Sequence, residues 1–242
     1  KHRIFWRRSG RSGDPEGLVP QNRHPFKGNI DVNKLEELIE TRGPEKIPLC
    51  LQTITNNSGG GQPVSMENIR SVRKVLDRFG IPLYLDACRF AENAYFIKTR
   101  EMGYEDKSVK TIVRELMSLA DGCTVSAKKD GLVNIGGLLY TNDPVLVQKE
   151  KDLLILTEGY PTYGGLAGRD LEAMALRFEE VLNEDYLKYR LAEVRYLGEH
   201  LQLIGFHTIQ PPGSHAVYID ARTTLDHIPQ KQYPRNAFAV EF

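Results

Sequence analysis

The sequence predicts an α/β fold with a mainly parallel sheet flanked by helices, and two observations lead to that prediction. A strand pattern at residues 47–54, a helix pattern at residues 66–79 and a second strand pattern at residues 81–85 follow one another at the spacing of a βαβ crossover. Two apolar runs then end in polar residues, one at Asp86 and one at Ser126. Ligands of open α/β sheets bind beyond the carboxyl ends of the strands, so these positions are candidates for a site.

The other elements follow from apolar periodicity and from capping residues. Asp31 and Ser65 are expected N-caps, Gly80 is an expected helix end, and residues 183–185 are the expected break in a long or kinked helix. Helices are expected at residues 31–41, 66–79, 91–100, 108–119, 143–151 and 168–200. Further strands are expected around Cys123, around Leu138, and at residues 205–209 and 215–219, joined by a turn at residues 211–214.

The composition is that of an ordinary globular protein, with 242 residues, 40% hydrophobic and 26% charged. The length allows one large domain or two small ones. The formal net charge is zero, so charge gives no reason to expect binding to nucleic acid or to an anionic membrane, and no apolar run approaches a membrane span. Cys50, Cys88 and Cys123 are widely spaced and no secretory signal is visible, so we expect reduced thiols and a cytoplasmic location.

Residues 120–137 contain the first chemical signal. A short apolar run predicts a buried strand, and Ser126, Lys128 and Lys129 follow it directly. Desolvation disfavours the ammonium form, so a lysine held between buried strands can become a neutral amine that forms a Schiff base with pyridoxal phosphate. The residue types alone fit a simpler interpretation, a surface turn with two solvated lysines.

A second stretch favours the chemical interpretation. The strand pattern at residues 81–85 runs straight into Asp86, which is followed by Arg89. A carboxylate at such a strand end can pair with a pyridinium nitrogen and keep it protonated, which makes the ring an electron sink. An aspartate followed some forty residues later by two lysines, each at a strand end, therefore forms an ordered pair of signals.

Four motifs in order resemble the β-eliminating lyases, the family that comprises tryptophanase and tyrosine phenol-lyase. They are NSGGGQPVS at residues 57–65, DACRFAENAYFIK at 86–98, SAKKD at 126–130 and EGYPTYGG at 158–165. The resemblance runs from about residue 25 to the end of the chain. It implies the large domain of a fold-type I (aspartate aminotransferase-like) enzyme, truncated at both ends. The missing parts would be an N-terminal portion and a C-terminal small domain.

The resemblance divides the chain into three parts. Residues 25–210 would be the central part of the cofactor-binding large domain, and residues 211–242 the start of the passage to the small domain. Residues 1–24 would be an irregular N-terminal segment. Its basic start at residues 1–13 fits a disordered arm or a nucleic-acid tail, but we favour a frameshifted reading frame, because codons exist whose next frame resembles what the family carries there.

The resemblance also implies catalytic residues. Lys129 would be the Schiff-base lysine, since the family uses the second lysine of this pair. Lys128 would lie near the cofactor and handle protons or water, with a solvated lysine as the alternative. Tyr163 would lie near the active site, although a core aromatic would look the same. His215 is interpreted as a residue at the start of a strand rather than as a catalyst.

Cofactor contacts follow from the same resemblance. Asp86 would pair with the ring nitrogen of pyridoxal phosphate, and Ser126 would donate to its phosphate. Arg89 and Asn57 would hydrogen-bond the ring phenolate oxygen, although an Asn in a glycine-rich turn is also common. The backbone carbonyl of Asn134 would help to bind a monovalent cation, usually potassium.

The implied activity is pyridoxal-phosphate-dependent β-elimination of an aromatic L-amino acid by a homo-tetramer. Residues 90–93, Ala127 and Tyr160 resemble tryptophanase, which releases indole, pyruvate and ammonium from L-tryptophan. Residues 121–124 and 166–174 resemble tyrosine phenol-lyase, which releases phenol from L-tyrosine, so both substrates stay open, with tryptophan favoured. Two further alternatives are an inactive truncated remnant and another fold-type I enzyme such as a threonine aldolase.

Overall fold

A computed structural model describes residue 13 and residues 15–241, and its centre is one four-stranded sheet in the order β1-β2-β3-β4. The strands are β1 Cys50–Thr53, β2 Leu83–Asp86, β3 Gly122–Ser126 and β4 Gly137–Thr141. β2 pairs in parallel with β1 and with β3, whereas β4 runs antiparallel to β3. The prediction of a mainly parallel sheet is confirmed. The interpretation of residues 1–13 as a shifted reading frame falls, except for Gly13, outside the described residues.

Helices flank this sheet. They are α1 Pro15–Leu18, α2 Val32–Arg42, α3 Met66–Phe79, α4 Phe90–Arg100, α5 Val109–Ser118, α6 Pro144–Thr157, α7 Gly168–Glu180, α8 Glu184–Leu203, α9 Ala221–Thr224 and α10 Pro234–Glu241. Short 3₁₀ turns lie at Pro44–Lys46 and Gln230–Gln232. The predicted break in the long helical pattern is confirmed, because Asn183 accepts hydrogen bonds from the amides of Asp185 and Tyr186 and starts α8.

The helix α3 shows why the crossover between β1 and β2 forms where the sequence predicts it. The Ser65 hydroxyl accepts a hydrogen bond from the Asn68 amide at 3.1 Å, which satisfies one of the free donors of the first turn. Gly80 ends the helix in the left-handed region, with φ of 64°. The apolar stripe between these caps is buried against the sheet and comprises Ile69, Val72, Val75 and Leu76.

The hydrophobic core includes residues of the parallel strands but none of β4. Its fully buried members come mainly from α2 to α5 and from β2, and include Ile39, Ile69, Leu76, Leu83, Leu85, Ile97, Ile112 and Leu116. The helices α6 and α7 bury no residue completely, and four of the five residues of β4 are exposed. The core is therefore concentrated on the side of the described chain that carries β2 and α2 to α5, away from β4, α6 and α7.

The prediction of two strands at residues 205–209 and 215–219 is wrong. A single bridge joins Thr208 and Ile219, and no ladder extends from it within the described residues. The bridge consists of two backbone hydrogen bonds, from the Ile209 amide to the Tyr218 carbonyl at 2.9 Å and from the Asp220 amide to the His207 carbonyl at 2.7 Å. Beyond it the Gln210 amide donates to the Pro20 carbonyl at 2.7 Å instead, and Pro211 has no amide hydrogen with which to continue a ladder.

The three cysteines are free thiols. Among the helices of the described chain, none combines the length and the apolar character needed to cross a membrane.

Replacing the Ser65 cap tests this account of the crossover. We expect Ser65→Ala to lower the free energy of unfolding by about 1 kcal/mol, because the Asn68 amide loses its acceptor at the buried start of α3. Urea denaturation followed by circular dichroism measures the change. The matched control is Ser118→Ala at the exposed end of α5, with an expected effect within about 0.5 kcal/mol. Equal effects at both serines would contradict the capping role.

Candidate active site

The carboxyl ends of β1, β2 and β3 meet at one edge of the sheet, because the three strands are parallel neighbours. The loop after β1 carries Asn57. Asp86 ends β2 and Arg89 lies in the turn after it, while Ser126 ends β3 and Lys129 lies in the turn after that strand. The topology therefore brings to one edge five of the residues that the sequence predicts for the site.

The loop after β1 approaches another part of the chain so closely that it needs glycine. Gly61 has a φ of 71°, and a Cβ at this position would lie 2.6 Å from Nδ1 of His215. Asn57 lies in the same loop, and its side-chain oxygen accepts a hydrogen bond from Nη1 of Arg89 at 3.4 Å. This bond joins the loop after β1 to the turn after β2.

Asp86 is the last residue of β2, and one of its carboxylate oxygens is left without a hydrogen-bond partner among the described residues. This oxygen, Oδ1, is buried. Burial and then a hydrogen bond to Asp86 raise the pKa of the neighbouring Cys88 thiol, so the carboxylate also faces this weak donor. A buried carboxylate oxygen without a partner is costly, and a protonated ring nitrogen would satisfy it. The residue at this strand end thus fits the ring of pyridoxal phosphate.

The turn after β3 places two lysines in different environments. Lys129 is half-buried, whereas Lys128 is exposed. The backbone amide of Lys129 donates to the Ser126 carbonyl at 3.3 Å, which closes the turn that starts at the end of β3. The Ser126 amide in turn donates to Sγ of Cys88 at 3.3 Å. Of the two amines, that of Lys129 is the one held at the edge of the core.

Asp130 fastens this lysine turn to the turn after β2. Its Oδ2 accepts hydrogen bonds from the amides of Ala91 at 2.7 Å and Glu92 at 3.2 Å, and its own amide donates to the Cys88 carbonyl at 3.3 Å. The N-cap residue of α4, Arg89, supplies no side-chain cap of its own. Asp130 therefore caps α4 from the turn after β3, at a helix end where the dipole favours negative charge.

Cationic side chains and a second buried carboxyl group, that of Glu92, lie around the contact between Asp130 and the start of α4. Burial and then the charge of Glu92 raise the pKa of Asp130 well above its ordinary range. The Glu92 carboxylate lies 3.9 Å from Nε of Arg89 and 3.8 Å from Nε of Arg190. The pKa of His215 is lowered to about 4 by burial first, and then by Arg89, Arg190 and Lys129.

Sequence reasoning missed four members of this cluster. Asp130 and Glu92 stand inside the quoted motifs, so their position beside Lys129 and Arg89 was the available signal. His215 was interpreted as the start of a strand, whereas the structure places its ring against the glycine loop. Nothing in the sequence places Arg190 of α8 here, because only the packing of that helix brings it to Glu92.

Three predicted site residues lie apart from the cluster. Lys128 and Asn134 are exposed, and Tyr163 is 46% exposed in the connection between α6 and α7. Among the described residues, no side-chain hydrogen bond or ion pair links these three to Asp86, Arg89 or the other cluster members.

Comparisons with known proteins agree with the geometry. A sequence model of the family described as Beta-eliminating lyase matches residues 3–237. A tryptophanase of Salinibacter ruber is 58% identical over 224 residues, which are 93% of this chain and 47% of that protein. A tyrosine phenol-lyase of Symbiobacterium sp. strain SC-1 is 54% identical over 225 residues, which are 93% of this chain and 49% of that protein. The chain thus spans about half the length of these curated relatives.

A solved structure shares the fold. It comes from Exiguobacterium sp. 255-15 and carries the name aromatic amino acid beta-eliminating lyase/threonine aldolase. Its TM-score is 0.52 and its sequence identity 19%, and the match covers 69% of this chain and 42% of that chain. Together with the family match, this likeness confirms the predicted fold-type I architecture.

The depressed pKa of His215 predicts a pH-dependent stability. Between about pH 4 and the ordinary value of 6.5, the unfolded chain holds a proton on this imidazole that the folded chain does not, so this residue makes stability rise with pH across that window. We expect His215→Gln to remove that part of the rise, measured by urea unfolding at a series of pH values. The exposed His227→Gln is the control and should keep the wild-type slope. Identical slopes in both variants would contradict the burial of His215.

Proposed function

This chain belongs to the beta-eliminating lyase family, and from that membership we propose that it carries the pyridoxal-phosphate-binding part of an enzyme that eliminates the side chain of an aromatic L-amino acid. The observation that carries the proposal is the buried, unpaired Oδ1 of Asp86, at the same strand edge as the half-buried Lys129. An alternative of another class is an inactive remnant of such an enzyme.

Five residues would hold the cofactor. Asp86 would meet the ring nitrogen, Arg89 and Asn57 the ring oxygen, Ser126 the phosphate, and Lys129 would form the Schiff base. When bound, pyridoxal phosphate supplies an electron sink that stabilises negative charge on the substrate α-carbon. The hydrogen bond from Arg89 to the side-chain oxygen of Asn57 supports this assignment, because it holds the two side chains next to each other at this edge of the sheet.

The chain's own residues would then move protons. Lys129 would take the proton from the substrate α-carbon. Lys129 is half-buried in the turn after β3, at the same edge of the sheet as Asp86 and Arg89, which supports this assignment. Lys128 is exposed and would exchange protons or water at the mouth of the site, and Tyr163 would act on the substrate side.

We propose L-tryptophan as the substrate, with indole, pyruvate and ammonium as products. The higher identity to the Salinibacter tryptophanase, 58% against 54% for the Symbiobacterium tyrosine phenol-lyase, supports this order. The second candidate is L-tyrosine, with phenol as a product. Pyruvate release from the two amino acids, measured with the same preparation, separates the candidates.

Further proposals rest on the resemblance or on the composition of the chain. They are a potassium ion held in part by the Asn134 carbonyl, a homo-tetramer, a cytoplasmic location, no nucleic-acid or membrane partner, and the division of the chain at residues 24 and 210.

Trapping of the cofactor tests the proposal. The purified chain is incubated with pyridoxal phosphate, reduced with borohydride and digested for peptide mapping. We expect one label per chain on Lys129, because this residue is half-buried at the same edge of the sheet as Asp86, whereas Lys128 is exposed. Lys129→Ala should abolish the label, and Lys188→Ala on the exposed side of α8 should keep it. Labelling spread over surface lysines, or a folded chain without label, would contradict the proposed site.

A further inference from the structure

Glu92 is a buried carboxylate that the proposed chemistry does not use. It occupies the third position of α4, three residues after Arg89, and is only 6% exposed. Burying a carboxylate is costly unless charged partners or hydrogen bonds compensate for the lost water. Its position therefore needs a physical explanation.

The helix terminus does not supply that explanation. The first free amides of α4, those of Ala91 and Glu92, already donate to Asp130, so the Glu92 side chain has no role as a cap. Its Oε2 atom has no hydrogen-bond partner among the described residues. Burial raises the pKa of Glu92, while Ser214, Arg190 and Arg89 act to lower it.

Two guanidinium groups from distant parts of the chain provide the compensation. Oε2 of Glu92 lies 3.9 Å from Nε of Arg89, and Oε1 lies 3.8 Å from Nε of Arg190. The Arg89 side chain is 12% exposed, so water screens this pair weakly. The Nε ends of both arginines thus face one carboxylate.

The Nη atoms of the two arginines donate hydrogen bonds to two different loops. Nη1 of Arg89 donates to Oδ1 of Asn57 at 3.4 Å, and Nη2 of Arg190 donates to the His215 carbonyl at 3.3 Å. A continuous polar connection therefore runs from the loop after β1, through Glu92, to α8 and the segment that carries His215.

We propose that Glu92 is a positioning residue, whose carboxylate fixes Arg89 toward the ring oxygen of bound pyridoxal phosphate and, through Arg190, couples that orientation to α8. This inference rests on the proposed function. It assigns to Glu92 no contact with cofactor or substrate. It requires only that Arg89 loses its orientation when the negative charge is removed.

Glu92→Gln tests the inference, because it keeps the size of the side chain and removes its charge. The control is Glu199→Gln, which removes an exposed carboxylate paired with Arg195 on α8. The first measurement is nuclear magnetic resonance of the arginine Nε–H groups in the full chain, assigned with Arg89→Lys and Arg190→Lys. We expect both signals to broaden or shift in Glu92→Gln and to stay unchanged in the control.

The second measurement is the pH midpoint of the absorbance band of bound pyridoxal phosphate, and its direction separates two effects. If Arg89 swings away, the ring oxygen loses a cation, and the midpoint should rise by about one pH unit. If Arg89 stays in place, loss of the Glu92 charge alone leaves the site more positive, and the midpoint should fall. A fall, or no change, overturns the inference even if the variant is less stable.

The two proposals fail in different ways. If the wild-type chain captures no label on Lys129, the proposed function fails, and the arginine signals alone decide the role of Glu92. Unchanged Nε–H signals of Arg89 and Arg190 in Glu92→Gln would then overturn the inference. If the wild type is labelled and the midpoint is unaltered in Glu92→Gln, the function stands and only the positioning role is lost.

Discussion

The carboxylate of Asp130 is the contact on which the candidate site depends. It accepts hydrogen bonds from the first free amides of α4, and the backbone amide of Asp130 donates to the Cys88 carbonyl in the turn after β2. A strand pairing alone would leave the turns after β2 and β3 free to move apart, because the ladder between these strands ends at Asp86 and Thr124. Asp130 extends the connection beyond the ladder, so the turn bearing Lys129 and the turn bearing Arg89 move as one unit.

This arrangement also explains why so much charge is buried at one sheet edge. Arg89 and Lys129 lie at one edge of the sheet, and two cations at the edge of a core repel one another. The buried carboxylate of Glu92, which lies 3.9 Å from Nε of Arg89 and 3.8 Å from Nε of Arg190, offsets part of that charge. Asp86 is left with an unpaired buried oxygen, which is the feature expected of a group whose partner is a ligand.

Local signals were sufficient for much of the fold. The caps at Ser65 and Gly80 fix α3 at the predicted residues, and the strand that ends at Asp86 follows from an apolar run into a carboxylate. The strands predicted at residues 205–209 and 215–219 shrink to one bridge, because beyond it the Gln210 amide bonds to the distant Pro20 carbonyl and Pro211 has no amide hydrogen to donate. No periodicity carries such information.

The candidate site divides in the same way. Residues at the ends of consecutive strands could be predicted, since topology alone gathers them at one edge. The cap supplied by Asp130 and the pairing of Arg190 with Glu92 join segments that are far apart in sequence, and they follow only from how α4 and α8 pack.

Native-state hydrogen exchange of Asp130→Ala tests the central claim most directly. The account predicts that the amides of Ala91 and Glu92 lose protection together with those of Lys129 and Asp130, because one carboxylate holds both turns. The control is Asp143→Ala, whose carboxylate caps α6 from within, and it should expose only the first turn of that helix. Loss of protection confined to Ala91 and Glu92, with the lysine turn unchanged, would contradict the account.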